Sequence, residues 1–254
     1  MTAPLRAPRR ISTPVRVGVL LLGVAFAVRT VQRLRARDAS PPPAVIVADD
    51  SALNALADEV ERVDANAERI AYTIATRSEG TYLTELLDAH DGWNYRWPDR
   101  RSEPMRIWVQ EPRDNPAYDP SWATLVRESF SVWDGLGLPL TFTFTLDSSR
   151  AEVHVTWVDR FTERMTGRTQ WQNDANGWII GARIEIALHL PDGRRVTSDG
   201  VQAIARHEVG HLIGLDHTTD TTSIMAPQVF VTELSEADRR TARLVYALPA
   251  GKIR

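Results

Sequence analysis

The stretch "HEVGHLIGLDH", from His207 to His217, constrains this chain more than any other: it holds three of the six histidines and a glutamate in eleven positions. His207 and His211 are four apart, so on a helix both imidazoles leave one face, one turn apart. Valine, leucine and isoleucine fill positions between and after them, as a helix buried on its other side requires. Gly214 can take the positive φ that turns a chain sharply out of a helix, and His217, three residues on, can then swing back. Three nitrogen ligands with one open position are what a catalytic zinc needs. Glu208 follows the first ligand directly and can act as the base toward metal-bound water. The short "HEVGH" arises by accident about once in a hundred such chains, and the glycine and third histidine lower that about a thousandfold. An amphipathic helix that merely happens to carry imidazoles is therefore the poorer reading.

Composition narrows the rest. The chain has no cysteine, which excludes disulfides and thiolate metal ligands. Residues 1–40 carry eight arginines against the single acid Asp38, and the remainder has an acidic excess of about ten charges. That balance argues against nucleic acid as a partner of the folded part. In the basic head, Arg6, Arg9, Arg10 and Arg16 precede "VGVLLLGVAFAV", Val17 to Val28. Twelve apolar residues rise only about 18 Å in a helix, against a hydrocarbon core of about 30 Å. A charged start, a short apolar run and "AFA" fit a signal peptide over 1–37. The arginines at 29, 33, 35 and 37 suit instead an uncleaved anchor lengthened by snorkelling. Either form predicts contact with membrane or export machinery and an extracytoplasmic protein, secreted or tethered.

Prolines 41 to 43 make 38–50 a stiff linker. Residues 51–95 read as a helical region without recognisable chemistry: a stalk, a helical hairpin packed on the body, or a pro-segment covering the active site. Leu53, Leu56, Val60 and Val63 share one side of a first helix, and a second pattern from about Asn66 to Leu87 breaks near Gly80. The body, 96–254, follows. "MRIWVQ" alternates as a strand, "DPSWATLVRESFSVWDGLG" is a helix stopped at Gly135 or Gly137, and "LTFTFTL", "AEVHVTWV", "GRTQWQ" and "WIIGARIEIALHL" are strands. Ser198 or Asp199 caps the histidine helix, and Ser235 with Asp238 forms a capping box for a closing helix.

"HEVGHLIGLDH" followed by "SIM", Ser223 to Met225, resembles the extended zinc motif and Met-turn of the metzincin metalloproteases, and within them the matrixins. The resemblance runs from about Arg106 to Pro249 through "IWVQ", "AEVHVTWV", "GARIEIAL", "LSEAD" and "LVYALP". It implies an α+β zincin fold with a twisted, mixed five-stranded sheet, an active-site helix and a C-terminal helix. It also implies one catalytic zinc on His207, His211 and His217, with Glu208 as general base and proton shuttle and Gly214 as hinge. Met225 would floor the ligands, and Pro227, Gln228, Val229, Phe230 and Val231 would wall the pocket for the residue after the scissile bond. "GRTQWQ" would line the cleft for an extended peptide. The implied activity is hydrolysis of internal peptide bonds in proteins or peptides. A zinc hydrolase of a non-protein amide and a non-catalytic zinc-containing interaction domain stay open.

The chain also departs from that family. Without cysteine it cannot use a cysteine latch on the metal, Thr218 replaces a common serine, and Ala226 replaces a common aromatic. Only His154 and His189 precede the zinc helix in the body, both within strands, so a second zinc is not expected. The acidic turn around Asp174 leaves room for a structural calcium. Oligomeric state leaves no trace in the sequence.

Overall fold

The computed structural model describes residues 50–254. Helix α1 (Asp50–Arg77) is followed by the short α2 (Leu83–Ala89) and a two-residue strand β1 (Trp93–Asn94). The first expected pattern and the start of the second are one continuous helix, because nothing at Asn66 interrupts the backbone ladder, and the break expected near Gly80, at φ +69°, separates α1 from α2. Leu56, Val60 and Val63 are more than half exposed, whereas Ile70 and Ile74 further along α1 pack on the core. All three leucines of α2, Leu83, Leu86 and Leu87, are buried.

The main sheet contains β2 (Met105–Val109), β3 (Phe142–Phe144), β4 (Val153–Val158), β5 (Gly167–Asn173) and β6 (Ile179–Ala187), in the order β3-β2-β4-β6-β5. The first three pairings are parallel and β5 is antiparallel to β6, so the sheet is the mixed five-stranded one expected. Alternation puts Met105, Ile107 and Val109 of β2 on the buried face with Val153 and Val155 of β4. Between β2 and β3 runs α3 (Trp122–Asp134), ending at Gly135, with Gly137 following at φ +69°. The strand expected at 140–146 forms over three residues, at the edge of the sheet, where its register with β2 runs only from Met105 to Ile107.

Helix α4 (Ser198–Leu212) carries the histidine motif and packs on α3, whose Trp133 indole N–H donates to the Arg206 carbonyl at 2.9 Å. Its cap is Thr197, in place of the expected Ser198 or Asp199: the Thr197 hydroxyl accepts the Gly200 N–H. Val201, Ile204, Ala205, Val209 and Leu212 are its buried stripe. Helix α5 (Glu236–Ala247) begins with the expected capping box of Ser235 and Asp238, and β7 (Gly251–Lys252) closes the chain against β1. Residues 51–254 form one compact unit.

The expectation of a membrane-anchored chain is corrected. Among the described residues, no helix is long and apolar enough to cross a membrane. At 28 residues α1 has the length, but nine acidic and basic residues spread along it make the apolar core of a bilayer inaccessible. The apolar run 17–28, on which that expectation rested, lies outside the described residues, as do the head 1–37 and most of the linker 38–50.

Candidate metal centre

The sharp end of α4 builds the site. After Leu212 the chain turns at Gly214, with φ +98°. A side chain there would be strained, and a Cβ would lie 2.2 Å from the Tyr95 carbonyl oxygen, so only glycine fits. The turn returns His217 to the helix face carrying His207 and His211. The three Nε2 atoms lie 3.1, 3.2 and 3.3 Å apart. Two rings have their tautomer set by backbone acceptors. His207 Nδ1–H donates to the Ile224 carbonyl at 2.6 Å, and His211 Nδ1–H to the Leu215 carbonyl at 2.9 Å. A carbonyl cannot donate, so Nδ1 holds the proton and each Nε2 presents a lone pair. Three nitrogens at tetrahedral positions about 2.05 Å from one zinc ion would be about 3.3 Å apart. The donor set and spacing therefore fit zinc. Burial lowers His207 to about 4 and His211 to about 3, so both imidazoles stay neutral and metal-competent near pH 7.

Glu208 is 3% exposed. Its carboxylate lies against β5: the Thr169 hydroxyl donates to Oε2 at 2.6 Å, and a Cβ on Gly167 would come within 2.3 Å of Oε1. Burial pushes the carboxyl up to about 7, against the opposing pull of the Thr169 hydroxyl. Gly167 and Thr169 both lie within "GRTQWQ", where the sequence offers as signal only a glycine opening an edge strand.

Beneath the histidines, Ser223, Ile224, Met225 and Ala226 are buried. Met225 packs so closely under α4 that a Cβ on Gly210 would meet its sulfur at 2.3 Å. This explains a glycine inside a helix, where it costs about 1 kcal/mol relative to alanine. The turn is pinned by Asp238, fully buried on α5. Its two oxygens accept from the Ser223 hydroxyl, the Ile224 N–H at 3.2 Å, the Ser235 N–H at 2.7 Å and the Tyr82 hydroxyl at 3.1 Å. The capping box was legible; its reach to the methionine turn was not. Tyr246 hydroxyl donates to the Ile213 carbonyl at 3.0 Å and ties α5 to the end of the histidine helix.

A cleft of about 1790 Å³ runs between β5 and α4. His207, Glu208, His211 and His217 line it, together with Gly167 to Trp171 and Pro227, Gln228 and Val229. Of the expected pocket wall, Phe230 is 70% exposed, and Val231 packs on the core instead. Elsewhere, His154 Nε2 lies 2.9 Å from the Ser148 carbonyl and His189 pairs with Asp159. The Asp174 carboxylate accepts the Asn176 and Trp178 N–H groups and so caps its own hairpin.

A zinc-type helix packed on a mixed sheet, closed by a glycine turn and underlain by a methionine, defines the class as a metzincin-like metalloenzyme. The sequence profile of the matrixin family matches residues 107–247, more than half of the chain. The chain belongs to the matrixin family. Among known proteins it is 28% identical to interstitial collagenase of Equus caballus over 48% of this chain and 27% of that protein. It is 30% identical to matrix metalloproteinase-16 of Rattus norvegicus over 43% and 20%, and 27% identical to interstitial collagenase of Sus scrofa over 48% and 27%. The matched region thus spans about a quarter of the length of these relatives.

Proposed function

We propose that this chain is a zinc-dependent endopeptidase acting on internal peptide bonds of proteins or peptides. The observation that carries the reading is the convergence of three Nε2 atoms beside a buried carboxylate, in an open cleft along a sheet edge. His207, His211 and His217 would hold zinc, which when bound supplies Lewis acidity toward water and the scissile carbonyl. Glu208 takes the proton from water and returns it to the leaving amine, and its carboxyl, raised by burial, suits a base working near neutral pH. Thr169 holds that carboxylate against the cleft wall. Among the described residues strand β5 pairs only with β6 and so offers its free edge to an extended substrate. Pro227, Gln228 and Val229 take the role of pocket wall. An open groove beside a strand edge favours peptides over a compact non-protein amide. In this reading residues 96–254 carry the chemistry and 51–95 support it.

The test is cleavage of unfolded casein and a quenched peptide library by the full chain, with bound zinc measured alongside. Glu208→Gln is expected to lower turnover about 10²–10⁴-fold while zinc stays bound, and chelation of the metal to abolish it. Zinc bound by both proteins with no cleavage by either would overturn the peptidase assignment.

A further inference from the structure

His90 lies just past the C-terminal end of α2, on the rim of the cleft and outside the matched span. Its Nε2 is 3.1 Å from an Oδ2 of Asp216, and the two side chains are only 15% and 27% exposed. The other oxygen of Asp216 accepts the His217 backbone N–H at 2.6 Å. Two hydrogen bonds therefore connect α2 to the third histidine. One turn earlier Glu85 accepts the Thr219 N–H at 2.8 Å, so the N-terminal segment holds the loop on both sides of His217. Tyr95 and Trp171 meet the His90 ring edge to face, with centroids 5.3 and 6.2 Å away, and fix its orientation. His207 and His211 stand on a helix and are oriented through their rings; His217 stands on a loop and is oriented through its backbone.

We propose that His90 is a positioning residue of the metal centre: through Asp216 it sets the backbone, and hence the ring, of His217. The segment before the matched span is then part of the site. This inference rests on the reading that the three histidines hold zinc. Outer partners that orient metal ligands typically change metal affinity 10–100-fold when removed, and a partner acting through one intermediary belongs at the lower end.

The experiment is chelator competition for zinc on the full chain, with visible spectra of the cobalt-substituted protein as a direct report of ligand geometry. His90→Phe keeps the ring packing and removes the donor; His90→Gln returns an N–H near the Nε2 position. We expect His90→Phe to weaken zinc binding about tenfold and shift the cobalt bands, and His90→Gln to stay within about threefold of the wild type. The double variant with Asp216→Asn should bind no more weakly than Asp216→Asn alone. If His90→Phe fails to fold, His90→Asn, whose amide is too short to reach Asp216, carries the same expectation. Wild-type affinity and spectrum in these donor-deficient variants would overturn the proposal. So would losses that multiply in the double variant. A wild-type chain that binds no zinc overturns the metal-centre reading itself, and that result is distinct because it appears before any variant is compared.

Discussion

Helices α1 and α2 are neighbours in sequence, and they meet opposite fates. The 28-residue α1 has a regular apolar side, yet Leu56, Val60 and Val63 on it are all more than half exposed. The seven-residue α2 is too short to be stable alone, yet its three leucines are buried and its Glu85 and the adjoining His90 reach the loop of the third histidine. Length and amphipathicity allow a helix to form. What makes it part of the site is core burial and hydrogen bonds to distant segments.

The contrast can be tested by unfolding in urea, beginning with the strongest effect. Leu86→Ala should cost about 4 kcal/mol, since a fully buried leucine loses both its transfer energy and its packing. Gly214→Ala should cost about 3 kcal/mol and weaken zinc binding, because strain at positive φ adds to a clash with the Tyr95 carbonyl on the N-terminal side. Glu85→Ala should cost about 1 kcal/mol, the worth of its hydrogen bonds from the Thr219 N–H and, at 3.4 Å, the Thr218 hydroxyl. Leu56→Ala should change stability by less than about 0.5 kcal/mol. A Leu56→Ala loss as large as that of Leu86→Ala would erase the distinction between the two helices.

The residues differ in how openly the sequence displays them. His207, Glu208 and His211 lie on one helix whose period dictates which side chains share a face, so spacing alone points to them. Gly214 was legible because glycine marks positive φ, although its second constraint, the Tyr95 carbonyl, was not. Gly210 stands inside the motif, but its reason is a methionine from another turn. Asp238 shows its local cap through Ser235, while its bonds to Ser223, Ile224 and Tyr82 join three separate segments. Thr169 and His90 give no local signal, since their partners Glu208 and Asp216 lie far along the chain. The edge strand at 142–144 is shorter than its alternating pattern suggests, because pairing depends on which neighbour the sheet supplies.

By itself the sequence determined the periodic and short-range features: the histidine helix and its glycine turn, the alternating strands, the capping box and the absence of thiolate chemistry. Each follows from backbone geometry acting over a few residues. Only the tertiary structure decided that α2 would be buried while most of α1's apolar side stayed exposed, that Glu208 would rest on Thr169, and that Asp216 would join His90 to His217. Those outcomes depend on surfaces brought together from distant parts of the chain, where burial and hydrogen bonding outweigh local propensity.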